Sequence, residues 1–249
     1  MSQPEEVAPQ AETTEPSGVG WKSLLKWSAI VSILVVVLVN IFAGIIPPLI
    51  VFAVLWLVGV VWLGRSTKGP AIFLLALFIA NVALSAPFTI PSFAVPASAG
   101  DFILNAAHLL AALVGIVAAI AVLRRASDTS GTPRKLALGA TALFVVGTIF
   151  SIIAAVGYEN ATAKEGDIEM VTADIEFSDT SLEAAAGEIG VFVENEDATF
   201  HTFTIDELDV SLDIPAAKSA RISFQAEPGT YEFYCVPHQG DMEGTLTVE

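Results

Sequence analysis

The sequence predicts a membrane bundle of about five transmembrane α-helices followed by an all-β sandwich. Three observations lead to this fold class: a high apolar content, five long apolar segments in the first two-thirds of the chain, and short alternating strands in the last third. Apolar residues make up 54% of the 249 residues and charged residues only 15%. Such a composition does not fit one water-soluble globule.

Five apolar segments of 16 to 23 residues account for the helical prediction, at 25–44, 48–63, 70–86, 102–123 and 136–158. A helix of about 20 residues crosses the roughly 30 Å of membrane hydrocarbon, and two of the five segments are short by that measure. Residues 1–20 form an acidic, Pro-rich tail that we expect to be disordered. The predicted domains are therefore a cytoplasmic tail at 1–20, a transmembrane domain at 21–158 and an extracytoplasmic domain at 159–249.

The basic residues between the segments predict the orientation in the membrane. Cytoplasmic loops are enriched in Lys and Arg. With a cytoplasmic N-terminus, five crossings put all eight basic residues of positions 21–157 on the cytoplasmic side: Lys22, Lys26, Arg65, Lys68, Arg124, Arg125, Arg134 and Lys135. The sequence thus predicts a multi-pass cell-membrane protein whose C-terminal domain lies outside the cytoplasm.

The last third of the chain alternates apolar and polar residues, as half-buried strands do. Turn residues separate these short runs, for example at Pro228-Gly229. Several short strands at such spacing indicate a sandwich or barrel. The alternation also puts Cys235 on the same strand face as Tyr231 and Phe233, so its sulfur should point into the apolar interior.

Four potential metal ligands follow position 200: His201, Cys235, His238 and Met242. The chain has one Cys and three His, and this group takes the Cys and two of the His. A thiolate, two imidazoles and a thioether together suit copper, whereas zinc gains little from a thioether. Considered without its neighbours, Cys235 would be an ordinary buried thiol. The spacing favours a copper site.

This region resembles the cupredoxin family, especially its plastocyanin-like and halocyanin-like members. The resemblance covers roughly residues 167–249 and is carried by Asn195-Glu-Asp-Ala-Thr-Phe-His201-Thr-Phe203, Pro228-Gly-Thr-Tyr-Glu-Phe-Tyr-Cys235-Val-Pro-His238 and Met242-Glu-Gly-Thr-Leu-Thr-Val248. It implies a Greek-key β-sandwich and one type 1 copper ion, with His201, Cys235, His238 and Met242 as its ligands.

Two features depart from that pattern. Three residues separate His238 from Met242, where plastocyanin-like loops usually have one more and amicyanin-like loops one fewer. Thr202 follows the first ligand, where an Asn that hydrogen-bonds toward the residue beside the Cys is common.

The resemblance implies one-electron transfer, with His238 reaching the surface as the electron's exit. The predicted function is a membrane-anchored blue-copper electron carrier at the outer face of the cell membrane, and not an enzyme. One alternative is extracytoplasmic copper binding, delivery or sensing, although a chain with three Met lacks the Met-rich character of a copper-capture protein. Another is a quinone-linked redox module in the helices, for which His108 is the one candidate residue. An interhelical hydrogen bond is the simpler interpretation of His108, and Asn81 is expected to act similarly.

Charge limits the choice of partners. Residues 159–249 hold 21 Asp and Glu against three basic residues, a net charge of −18. Such a domain repels nucleic acid and should attract a basic redox protein, such as a c-type cytochrome or a terminal oxidase. Adaptation to a salty or acidic medium accounts for the same charge equally well.

Overall fold

The computed structural model describes residues 19–42, 44–128 and 131–249, and within these ranges it contains five α-helices and nine β-strands. The predicted fold class is confirmed: long apolar helices come first and a β-sandwich follows. The predicted tail at 1–20 lies outside the described residues, except for Val19 and Gly20.

The five helices are each long and apolar enough to cross a membrane, as the sequence predicts. They are α1 (Trp21–Phe42), α2 (Pro47–Arg65), α3 (Lys68–Ser92), α4 (Ala99–Leu123) and α5 (Thr132–Gly157). Helix α3 is longer than its predicted segment and continues through Pro87 and Pro91. Membrane helices accept such prolines because neighbouring groups satisfy the freed backbone carbonyls.

Helix α4 is central to the bundle and packs against α1, α3 and α5. Small residues on α4 allow this close approach, which is how helices associate without a hydrophobic driving force in lipid. At Gly115, a Cβ atom would lie 2.4 Å from the ring of Phe78 on α3. The outward faces of the helices carry exposed apolar side chains suited to lipid, including Ile79, Leu143 and Val156.

The C-terminal strands form two sheets packed face to face. The strands are β1 (Ile168–Ala173), β2 (Glu176–Phe177), β3 (Ser181–Ala184), β4 (Gly187–Asn195), β5 (His201–Ile205), β6 (Val210–Ile214), β7 (Ser219–Ala226), β8 (Gly229–Tyr234) and β9 (Glu243–Val248). One sheet has the order β2-β1-β4-β7 and the other β3-β9-β8-β5-β6. The inward residues of both sheets form one apolar core that includes Val191, Phe203 and Phe233.

The predicted alternation is confirmed where it positions the site. Phe233 and Cys235 are both fully buried, whereas Tyr234 between them is half-buried and Glu232 before them is exposed. Tyr231, two residues earlier on the same face, packs against the core from its edge. Strand β8 therefore delivers the Cys235 sulfur to the inside of the sandwich at one end.

Candidate metal centre

The fold brings the four predicted site residues to one end of the sandwich. His201 is the first residue of β5, and Cys235 directly follows β8. His238 ends a short 3-10 turn at Val236–His238, and Met242 directly precedes β9. Residues 34 positions apart thus meet because β5 and β8 are neighbours in the same sheet.

Three donor atoms form a compact triangle. The Cys235 sulfur lies 3.6 Å from Nδ1 of His201 and 3.5 Å from Nδ1 of His238, and a donor atom from each of the three residues lies within 4.8 Å of the others. Metal–nitrogen and metal–sulfur bonds of about 2.0 and 2.3 Å, at angles between tetrahedral and trigonal, separate such donors by roughly 3.5–3.7 Å. The triangle therefore fits a single metal ion.

Backbone hydrogen bonds hold the loop that carries three of the candidate ligands. Cys235 N–H donates to the Met242 carbonyl at 3.0 Å, Met242 N–H donates to the His238 carbonyl at 3.0 Å, and His238 N–H donates to the Cys235 carbonyl at 3.1 Å. Met242 is 1% exposed and packs in the same core cluster as Cys235. The three-residue spacing between His238 and Met242 is thus compatible with a closed loop that keeps the thioether inside.

Burial sets the protonation of these groups. Burial raises the pKa of the Cys235 thiol, against the opposing effect of the Thr202 N–H that donates to its sulfur at 3.3 Å. Burial also lowers the pKa of His201, although the Asp197 carboxylate acts in the opposite direction. Burial, followed by the nearby His201, lowers the pKa of His238 to about 4. At neutral pH both imidazoles are therefore uncharged, which is the form that binds metals.

Asp197 supports His201 and was not among the residues predicted from the sequence. Its Oδ2 atom lies 2.8 Å from Nε2 of His201, which leaves Nδ1 to face the Cys235 sulfur. Burial would raise the pKa of Asp197, but the N–H groups of Ile175 and Asp174 and the His201 ring bond its carboxylate and lower it. The spacing of four residues before a ligand His was the only signal in the sequence.

Asn195, also missed, shapes the loop between β4 and His201. Its side-chain amide is buried and donates to the carbonyls of Thr199, Ile214 and Pro215, and its oxygen accepts from Asp197 N–H at 2.8 Å. One buried amide thereby fixes both the carboxylate that contacts His201 and the chain that leads into it.

Thr202 takes the position where Asn is common in the family that the sequence resembles. Its Oγ1 atom accepts a hydrogen bond of 2.8 Å from Val236 N–H, and its own N–H donates to the Cys235 sulfur. The bond toward the residue beside the Cys is therefore present with a hydroxyl in place of an amide. Bonds of this kind orient metal ligands from outside the coordination sphere.

His108 lies within the bundle, away from this cluster. Its Nε2 atom bonds Asn81 Oδ1 on α3, which is the interhelical hydrogen bond predicted as the simpler interpretation. Because the amide oxygen can only accept, Nε2 carries the proton. The other nitrogen, Nδ1, is buried and has no hydrogen-bond partner among the described residues.

Comparisons with known proteins identify the family of this chain. A family model described as a cupredoxin-like domain matches residues 141–248. The chloroplastic plastocyanin of Pisum sativum is 32% identical over 138 residues, covering 49% of this chain and 80% of the plastocyanin. The chloroplastic minor isoform of plastocyanin from Arabidopsis thaliana is 31% identical over 149 residues, covering 52% and 84%. Among solved structures, amicyanin from Paracoccus versutus is 16% identical, with a TM-score of 0.30 over 35% of this chain and 85% of the amicyanin.

Two plastocyanins above 30% identity, each covered over four-fifths of its length, establish the relationship. The chain belongs to the cupredoxin family, and its cofactor is one type 1 copper ion.

Proposed function

We propose that this cupredoxin passes single electrons at the outer face of a cell membrane, with its copper held by His201, Cys235, His238 and Met242. The triangle of the Cys235 sulfur and the two Nδ1 atoms, with sides of 3.5 and 3.6 Å from the sulfur, carries the proposal. His2Cys with a weak axial Met is the arrangement of blue-copper electron-transfer sites.

The chain's own residues make the site rigid and dry. Bound copper supplies the one-electron couple between its +1 and +2 states. Cys235 and His201 are fully buried, and Met242 nearly so, which excludes water. The Thr202 N–H and the closed loop fix the sulfur, so little has to move when the charge at the site changes. Four protein donors leave no open position for a substrate, and the proposal therefore involves no substrate conversion.

The proposed location outside the cytoplasm is supported by the charges at the helix ends. Trp21 N–H, at the start of α1, donates to Asp128 beyond the end of α4 at 2.8 Å. This end of the bundle carries Lys22, Lys26, Arg124 and Arg125, whereas the sandwich contacts the opposite end of α4. Positive residues favour the cytoplasmic side, so the copper domain belongs on the other side.

The proposed partner is a redox protein, such as a basic c-type cytochrome or a terminal oxidase. Tyr234, directly before Cys235, lies in a surface cavity lined by four carboxylates: Asp206, Glu207, Glu232 and Glu243. Its hydroxyl donates to the Asp206 carboxylate, with oxygens at 3.0 and 3.1 Å. An acidic rim around a residue next to the copper ligand would steer a basic protein toward the site.

The test uses the purified full chain in detergent, loaded with copper(II), with Cys235→Ser as the control. The proposal predicts an intense visible thiolate-to-copper band and narrow copper hyperfine splitting in the EPR spectrum, both absent from the control. A colourless or weakly bound product would contradict electron transfer and would favour copper handling instead. Labelling of the C-terminal domain in intact cells by an impermeant reagent tests its location, and protection of that domain would contradict it.

A further inference from the structure

The copper-bearing end of the sandwich lies against the ends of α3 and α4. Asp101, in the first turn of α4, accepts two hydrogen bonds on Oδ2: from Phe200 N–H at 2.7 Å and from the Thr199 hydroxyl at 3.0 Å. Ser98, directly before α4, accepts a hydrogen bond from Ala216 N–H at 2.8 Å. Helix α3 also contacts the 3-10 turn at Val236–His238.

These contacts involve the segments that frame the proposed copper site. Thr199 and Phe200 are the two residues before His201, and Ala216 follows the end of β6, where Ile214 pairs with His201. The turn that contacts α3 contains His238 itself. The helical domain therefore touches the chain on both sides of the donor triangle.

The interface is partly buried and its polar groups are paired. Ser98 is fully buried and Phe200 is 3% exposed. Two backbone N–H groups of the sandwich donate to side chains of the helical domain. Removing an acceptor from such a donor destabilises the folded protein. Pairing of this kind is typical of a specific contact and not of two domains joined only by a linker.

Asp101 is itself held from inside the bundle. Its backbone carbonyl accepts a hydrogen bond of 3.0 Å from the Asn105 side chain, and the Asn105 oxygen accepts one of 3.0 Å from the Thr89 hydroxyl on α3. A negative charge in the first turn of a helix is also stabilised by the helix dipole. The carboxylate that meets the sandwich is thus fixed to both helices.

We propose that the outer ends of α3 and α4 form a docking platform that covers the copper end of the sandwich, with Asp101 as the positioning residue for the segment before His201. This gives the helices a role beyond anchoring. The edge of His238 then faces the chain's own helical domain, and a soluble protein meets the acidic surface around Tyr234 instead. The docking itself does not depend on the proposed copper ligands, and only its effect on electron transfer rests on them.

Hydrogen exchange in the full chain tests the docking without copper. In the Ser98→Ala, Asp101→Ala double variant, the amides of Phe200 and Ala216 should exchange at least about ten-fold faster, because their acceptors are lost. Amides of β4 should be unchanged. Asp179→Ala is the matched control, since Asp179 is exposed and accepts a bond from the neighbouring Ser178. If the double variant fails to fold, Thr199→Val removes one bond to Asp101 and should give a smaller change at the same amides. Unchanged exchange at Phe200 and Ala216 would overturn the docking.

An experiment on the copper-loaded protein tests whether the helix ends cover the copper end of the sandwich. A small anionic oxidant, ferricyanide, is repelled by the acidic surface around Tyr234 and should oxidise the reduced double variant several-fold faster than the unaltered chain, because the His238 edge becomes accessible. The copper spectrum of both should be the same. Faster amide exchange with an unchanged oxidation rate would overturn the covering of the copper end. Absence of the blue spectrum in the unaltered chain, together with the expected exchange pattern, would instead contradict the proposed copper ligands and leave the docking supported.

Discussion

The carboxylate of Asp197 lies 2.8 Å from Nε2 of His201 and leaves the opposite ring nitrogen 3.6 Å from the Cys235 sulfur. A carboxylate that accepts the distal N–H of a ligand His fixes the ring's tautomer and raises its basicity. The same carboxylate accepts the N–H groups of Asp174 and Ile175, both of which have a positive φ. One side chain therefore stabilises a left-handed turn and orients a candidate ligand.

Replacing Asp197 tests this arrangement. Asp197→Ala should weaken copper binding by about 10–100-fold, because His201 loses the group that orients it. Asp197→Asn keeps an acceptor but removes the charge, so it should weaken binding less while raising the reduction potential, since a nearby negative charge favours copper(II). Chelator competition and a redox titration measure the two effects. An unchanged affinity in Asp197→Ala would show that the contact does not matter, and Asp209→Asn is the control on an exposed turn.

Two variants of Thr202 distinguish the role of its hydroxyl from that of its backbone N–H. Thr202→Val removes the acceptor for Val236 N–H, whereas Thr202→Ser keeps it, and both keep the N–H that donates to the Cys235 sulfur. The bond from Val236 N–H is partly buried, and loss of a typical hydrogen bond destabilises a fold by about 0.5–1.5 kcal/mol. We expect Thr202→Val to lose that much unfolding free energy in urea and Thr202→Ser to lose little. Equal losses in the two variants would point to packing and not to the hydrogen bond.

Replacing Met242 tests whether its sulfur is the axial ligand of the copper. Leu has a similar volume and no donor atom, so Met242→Leu should keep the fold and the blue thiolate band while raising the reduction potential. The weak axial thioether tunes the potential of blue-copper sites more than it holds the metal. A potential equal to that of the unaltered chain would place the Met242 sulfur outside the coordination sphere. Cyclic voltammetry of both proteins makes the comparison.

The sequence was sufficient for features that local pattern controls. Segment length and hydropathy predicted the helices, and strand alternation predicted that the Cys235 sulfur points inward. The prediction of helix ends was less accurate, because α3 continues through Pro87 and Pro91 where a soluble helix would end. Neighbouring groups in a membrane bundle can satisfy the backbone carbonyls that these prolines leave free, so local propensity alone underestimates the length of the helix.

Contacts between distant segments could not be predicted in the same way. The bond from Phe200 N–H to Asp101 joins residues 99 positions apart. An isolated Asp at the start of an apolar segment does not indicate its partner. Backbone N–H groups and hydroxyls like those of Phe200 and Thr199 occur throughout the C-terminal domain, and any of them could donate to it. The role of Thr202 could not be predicted for a similar reason. Its hydroxyl can take the place of an amide only when the fold brings Val236 N–H within hydrogen-bond distance.

His108 and Asn81 predict a modest stability effect. Interhelical hydrogen bonds in membrane proteins contribute about 0.6 kcal/mol on average and up to about 1.7. We therefore expect His108→Ala to destabilise the helical domain by about this amount and to leave the copper spectrum unchanged. Asn81→Ala should have a similar effect, and the double variant should add little, because both remove the same bond. Loss of quinol-dependent copper reduction in His108→Ala would instead support a redox role for the helices.

The lowered pKa of His238 predicts how the metal-free chain responds to acid. Its ordinary pKa is 6.5, and in the folded chain burial and the nearby His201 lower it to about 4. As the pH falls between these values, the unfolded chain binds a proton that folded His238 does not bind. Stability should therefore be unaffected by this residue above pH 6.5, fall between pH 6.5 and about 4, and lose no more from it below about 4.

Thermal unfolding of the metal-free full chain across this range measures the effect. His238→Gln removes the titrating group, so its unfolding midpoint should fall less steeply between pH 6.5 and 4, with His201 accounting for part of the remaining slope because burial lowers its pKa as well. An equal slope in His238→Gln and in the unaltered chain would contradict the burial of the His238 imidazole. Copper should stay bound through this range and be released only below about pH 4, where the folded His238 ring takes up protons that compete for the nitrogen that holds it.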